Sequence, residues 1–181
     1  MSTRGCIARL DRRTPVEFRG VYHHWDSYPS GLGQALFHIR NRDFGRDTET
    51  MLKELIDRHP AGWSTVVGTR FAPRPGRGKR LARVSKDGSE DAGAQCYCHG
   101  GRHEPGWLVT HGNAAGSGVE YAYAFDGATM FVLASYGREG GKMVGMFGTG
   151  DPDAVWSVIA TVDLDGPEPD WKAMEMLAVQ Y

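Results

Sequence analysis

The sequence predicts an α+β fold: a mostly antiparallel sheet with two or three helices on one face. Three observations carry that expectation. Two runs rich in β-branched and aromatic residues flank a polar turn near the start, two segments of helical period follow, and the C-terminal half holds four strand-like runs separated by tight-turn residues.

Thr3 to Leu10 and Val16 to Trp25 flank "DRRTP" and read as an antiparallel hairpin. "DSYPSG" then breaks the pattern with Pro29 and Gly31, after which Leu32, Ala35, Leu36 and Ile39 recur at helical spacing, with Ser30 as the expected N-cap. A second helix follows from a cap at Asp47 or Thr48 and the stripe Met51, Leu52, Leu55 and Ile56, and His59-Pro60 stops it. "STVVGTRF" reads as a strand. The stretch 72–95 is rich in Pro, Gly, Lys, Arg, Ser and Asp without periodicity, which predicts a long mobile loop. "GVEYAYAFD", "TMFVLASYG", "GKMVGMFG" and "VWSVIATVDL" predict four strands in a meander, with turns at Asp126-Gly127, "GREGG" and "TGDPDA". "GPEPDWKAMEML" ends the pattern with a loop and a short helix that Asp170 can cap.

A length of 181 residues suits a single domain, 1–181. The hydrophobic share of 40% and charged share of 24% are ordinary for a globular chain, and runs such as "MFVLAS" fall short of the roughly 20 apolar residues a spanning helix needs, so no membrane partner is expected. "MSTRGCIARLDRRT" carries charges where the apolar centre of a secretory signal would sit, which makes the cytoplasm the expected location. An odd count of 3 cysteines predicts reduced thiols rather than a disulfide framework. A homo-oligomer is left open.

A net charge of −1 gives no general attraction to nucleic acid. A local basic run exists between Thr69 and Lys86, made of Arg70, Arg74, Arg77, Lys79, Arg80, Arg83 and Lys86. Aromatic platforms are almost absent from it, and Asp87, Glu90 and Asp91 follow at once. A solvated loop is therefore the favoured reading, and nucleic acid bound through Arg70–Lys86 the disfavoured one.

The densest polar segment is "GVYHHWDSYPSGLGQALFHI". On a strand, Tyr22, His24 and Asp26 share one face and Val21, His23 and Trp25 the other, and periodicity leaves open which histidine faces the core. "PSGLG" brings a serine, two glycines and a helix start together. Unpaired N–H groups at that start, added to the helix dipole, would make an anion site. It has neither the Lys-Ser/Thr pair of a P-loop nor a GxGxxG pattern. The expected ligand is a small anion, phosphorylated or nucleotide-like, and the candidate ligand-binding residues are Arg4, Tyr22, His23, His24, Asp26, Tyr28, Ser30, Gly31 and Gly33. The plainer reading has Asp26 and Ser30 satisfying backbone groups while Trp25, Tyr28 and Pro29 pack beneath the turn.

Thr3, Arg4 and Gly5, followed by Tyr22, His24, Trp25, Asp26, Tyr28 and Pro29, resemble a family of small bacterial and phage proteins. Its members begin with a Thr-Arg-Gly strand and carry a Tyr-x-His-aromatic-Asp-x-Tyr-Pro segment. The resemblance covers roughly the first forty residues, and it implies a fold and no catalytic roles. Beside the anion-site reading, it makes phage proteins that sequester nucleotide signals a functional class to test.

A second cluster, "CYCHGGRHEPGWLVTH", carries the donor set that zinc prefers. Its spacing is C-x-C with a histidine directly after, whereas structural sites favour C-x2-C or wider. The expected ligands are Cys96, Cys98, His103 and His111, with His99 as a substitute; the plainer reading is two thiols at a strand start. A zinc-binding hydrolase or a zinc-stabilised interaction module is the alternative function, with Glu104 the adjacent candidate base. No G-x-S-x-G elbow is present, Asp163 and Asp165 read as turn and cap residues, and the sequence leaves open whether the protein is an enzyme.

Overall fold

The computed structural model describes residues 3–11, 17–73, 81–84, 95–98, 106–139, 142–144 and 155–179. Its strands are β1 (Gly5–Leu10), β2 (Phe18–His23), β3 (Trp63–Thr65), β4 (Arg70–Pro73), β5 (Leu81–Val84), β6 (Gln95–Cys96), β7 (Val109–Thr110), β8 (Tyr121–Asp126), β9 (Thr129–Glu139), β10 (Lys142–Val144) and β11 (Val155–Asp163). Nine of them form one sheet in the order β10-β9-β8-β1-β2-β3-β6, with β11 added on β9 and β7 on β2, while β4 and β5 make a separate ribbon. β1 runs parallel to β8, and β2 runs parallel to β3. Every other pairing is antiparallel, as the α+β reading expected.

Alternation along the central strands makes two cores. Ile7, Val21, Tyr123, Phe125, Met130 and Val132 face one side, and Cys6, Ala8, Phe18, Ala122, Ala124 and Leu133 the other. Three helices cover the first side. The first helix runs through Pro29–Gly33, Gln34–His38 and Ile39–Asp43, its outer stretches in the wider π-type pattern, and buries Leu32, Leu36, Phe37 and Ile39. The second, Thr48–Leu52 continued by Lys53–Asp57, buries the predicted stripe, and its cap is the Asp47 carboxylate, which accepts the Thr50 amide at 2.9 Å. The C-terminal helix, Trp171–Val179, is capped by Asp170, which accepts the amides of Lys172 and Ala173. On the opposite side a short helical turn, His111–Ala114 with Ala115–Ser117, packs with Trp156 over the second core. No described helix is long and apolar enough to cross a membrane.

Four local expectations are corrected. Ser30 does not cap the first helix: Pro29 takes the first helical position, its fixed φ being suited to it, and Tyr28 precedes it without a side-chain bond. "STVVGTRF" is two strands rather than one, because the chain turns through Val66 to Thr69 with Gly68 at φ 77°. Within the predicted loop at 72–95, Leu81–Val84 is a strand paired with Arg70–Pro73, and Arg74, Arg77, Lys79, Arg80 and Lys86 lie outside the described residues. The C-terminal strands are not a simple meander, since β11 returns to pair with β9 from Val155↔Tyr136 to Asp163↔Thr129.

One buried side chain joins the parts that matter below. His23 is fully buried at the end of β2, where its Nε2 accepts the Val66 amide at 3.0 Å and its Nδ1 meets Ser27 Oγ at 2.8 Å. A backbone amide can only donate, so Nε2 holds the lone pair and Nδ1 carries the hydrogen. Burial, with His24 nearby, lowers the His23 pKa to about 3. An unfolded chain takes up this proton first as pH falls, so the stability from a neutral His23 is complete above about pH 6.5 and is lost progressively toward pH 3. Urea unfolding should therefore lose up to about 1.4 kcal/mol per pH unit below 6.5 from this group. A His23→Gln variant should lack that component, and equal pH slopes for the two proteins would contradict it.

Candidate functional site: a cleft beside the first helix

The amides at the start of the first helix are not free. The Ser30 N–H donates to Glu175 Oε1 of the C-terminal helix at 2.8 Å, that of Gly31 to the Tyr28 carbonyl at 2.9 Å, and that of Leu32 to the Asp26 carbonyl at 2.9 Å. The Gly33 amide engages the Tyr123 hydroxyl, which itself donates to the Ser27 carbonyl at 2.7 Å. Glu175 thus supplies from within the chain the negative charge that the helix dipole favours. The two glycines serve packing. A Cβ at Gly31 would overlap the Asp26 carbonyl, and one at Gly33 would stand 2.9 Å from the Tyr123 ring and 3.1 Å from Trp171.

The residues expected to bind a ligand fall in separate places. His23 is the buried tie described above. Tyr22 and His24 bond to each other, hydroxyl to Nδ1, at 2.7 Å, beside the exposed rings of Trp25 and Trp107, and burial pushes the Tyr22 phenol up to about 12. Arg4 is exposed, and its amide donates to Glu120. Asp26 takes the left-handed turn at φ 57°, a conformation Asp tolerates, and Tyr28 lies half-buried against the helical core. Gly33 is buried between Tyr123 and Trp171. Ser30 and Gly31 of the set line a cavity.

That cavity is a cleft of about 320 Å³ between the first helix and the turn after β3. Ser30, Gln34, His38 and Arg42 line it from the helix, four residues apart and so on one face, and Val67, Gly68 and Thr69 form the facing wall. The polar groups are held in place. Glu168 Oε1 accepts from Gln34 Nε2 at 2.8 Å and Trp171 Nε1 at 3.0 Å and meets His38 Nε2 at 3.0 Å; these contacts, the Gln34 bond foremost, lower the Glu168 pKa. Arg42 clasps Asp43 through Nε and Nη2 at 2.6 and 2.8 Å, which raises its own pKa, and Nη2 also donates to the Thr69 carbonyl at 3.1 Å. Asp43 in turn accepts the Phe71 amide at 2.8 Å, which fixes the helix end to β4.

Thr69 is the exception to this satisfaction. It is 3% exposed, and its hydroxyl is buried without a hydrogen-bond partner. An unmet buried hydroxyl costs about 1–3 kcal/mol, so packing alone favours valine at this position. Composition gave no sign of this group. The polar stripe Ser30-Gln34-His38-Arg42 was visible in the sequence, on the flank of the apolar stripe that identified the helix.

The cysteine cluster is also rearranged. His111 sits at the start of the short helical turn on the opposite sheet face, its ring 6.4 Å from that of Phe18. His99, His103 and Glu104 lie outside the described residues. Cys96 and Cys98 meet His59 instead, a residue the sequence reading used only to end a helix. Burial pushes the Cys98 thiol up, opposed by the Ala61 amide that it accepts. No family model matches the chain, and no curated protein or solved structure matches it.

If Glu175 neutralises the helix start, Glu175→Ala should cost about 1–2 kcal/mol in urea unfolding, the worth of a charge-assisted bond to a half-buried amide. Glu175→Gln, which still offers an acceptor, should recover part of the loss. An Ala variant as stable as the parent would contradict this role.

Proposed function

We propose that the protein binds a small anionic molecule, phosphorylated or nucleotide-like, in the cleft between the first helix and the Val67–Thr69 wall. The observation that carries the reading is the partnerless hydroxyl of Thr69, buried in the wall of a cavity large enough for a small ligand. Rotation of the Thr69 side chain toward the cleft would let a bound phosphate or ribose oxygen meet that hydroxyl, and Arg42 and Ser30 extend polar contacts along the same helical face. Glu168 and Asp43 hold His38 and Arg42 in fixed orientations, so little side-chain freedom is lost on binding. The same pairing favours retention of a ligand over its turnover, because the two groups best able to handle protons or charge are already engaged by carboxylates. Sequestration of a phosphorylated signal fits such a site, as does the phage-protein resemblance of the N-terminal segment.

The test is thermal shift with inorganic phosphate, AMP and cyclic AMP at millimolar concentration. A probe present at ten times its Kd should add about 1.4 kcal/mol, or roughly 3–5 °C for a chain of this size. Thr69→Val should raise the melting temperature of the ligand-free protein, because it removes an unmet hydroxyl, and should weaken the ligand-induced shift; Arg42→Gln should abolish it. No shift with any of the three probes, or a shift indifferent to Thr69→Val, would refute the proposal.

A further inference from the structure

His59, Cys96 and Cys98 come from two segments that backbone bonds hold side by side. Cys96 pairs with Trp63 across β3 and β6, the Tyr97 amide donates to the Gly62 carbonyl at 3.0 Å, and the Ala61 amide donates to Cys98 Sγ at 3.1 Å. Cys96 ends β6 and Cys98 follows in the bend just after it, which brings their sulfur atoms close together. His59, just past the second helix, reaches the same place with its ring tilted against that of Trp63, the centroids 4.3 Å apart. One ring nitrogen and the two sulfur atoms all lie within 4.8 Å of one another. A tetrahedral zinc ion with bonds of about 2.0–2.3 Å spaces its ligand atoms roughly 3.5–3.8 Å apart, so shifts of about 1 Å close the three around an ion.

The surroundings fit a metal in two more ways. Glu54 Oε1 stands 3.5 Å from Nε2 of His59, the carboxylate partner that typically fixes the tautomer of a ligating imidazole. With hydrogen on Nε2, the lone pair lies on Nδ1, which is buried. An amide donating to sulfur, as Ala61 does to Cys98, stabilises thiolate charge. Two thiolates also balance the charge of a divalent ion, and this soft donor set selects zinc over magnesium or calcium.

The geometry points to a zinc site formed by His59 Nδ1 and the thiolates of Cys96 and Cys98, with Glu54 as the positioning residue for His59 and water as the fourth ligand. Zinc there fastens the 59–63 segment to 95–98, away from the cleft proposed for the anion. Loading releases the two thiol protons, so affinity rises with pH.

Zinc is measured on protein purified without a histidine tag, by elemental analysis after dialysis and by competition with a chromophoric chelator. Cobalt substitution supplies a spectrum. One zinc per chain is expected, and the cobalt form should show charge transfer from two thiolates together with the intense visible bands of a tetrahedral site. Glu54→Gln should weaken zinc roughly 10-fold, and His59→Gln or Cys98→Ser by about 100-fold or more, at or beyond the upper end for losing an outer partner. His111→Gln should leave the affinity unchanged, and circular dichroism of the metal-free variants separates a lost ligand from a lost fold. Wild-type protein that holds no zinc, a cobalt spectrum without two-thiolate intensity, or an affinity indifferent to His59→Gln overturns the assignment.

Discussion

The neutral ring of His23 is the constraint on which the candidate site depends. Its Nδ1 holds Ser27, in the turn that launches the first helix, and its Nε2 holds the amide of Val66, where the chain leaves β3 for the wall of the cleft. The two sides of the cavity are therefore tied through one imidazole, at a point where each polar atom has a single suitable partner. A cationic ring would turn the Nε2 acceptor into a donor facing another donor. Ser27 extends the tie through its carbonyl, which receives the Tyr123 hydroxyl that also engages Gly33. Sheet, turn and helix start are thus bonded into one unit.

The same economy explains why the helix start is not an open anion site. Glu175 fills it from the C-terminal helix, while Glu168 and Asp43 bind the polar side chains further along the first helix. A fold that satisfies so many groups internally makes the unmet hydroxyl of Thr69 informative among the described residues: it remains at a cost in stability, on a residue that lines the cleft. The His59, Cys96 and Cys98 grouping lies beyond β3 and rests on backbone pairing of its own.

What could be read from the sequence was what is encoded locally. The second helix, its Asp47 cap and its apolar stripe follow from residues within ten positions of one another, and the β1–β2 hairpin and the Asp170 cap have the same origin. What could not be read depends on distant partners. Ser30 looked like a cap because the carboxylate that receives its amide is 145 residues away. The parallel pairing of β1 with β8 joins strands more than a hundred residues apart and leaves no periodic trace in either. His59 looked like a helix terminator because its meeting with Cys96 is made by the pairing of β3 with β6, whose strands are too short to announce themselves. Alternation placed His23 and His24 on opposite faces correctly, but it could not choose between them because both faces of this sheet are covered.

The most direct test of the account is a long-range proton–nitrogen correlation spectrum of the histidine rings in labelled protein near pH 5, where an ordinary imidazole is charged. The account predicts that His23 remains neutral there, with hydrogen on Nδ1 and a bare Nε2. A cationic His23, or one protonated on Nε2, would contradict it.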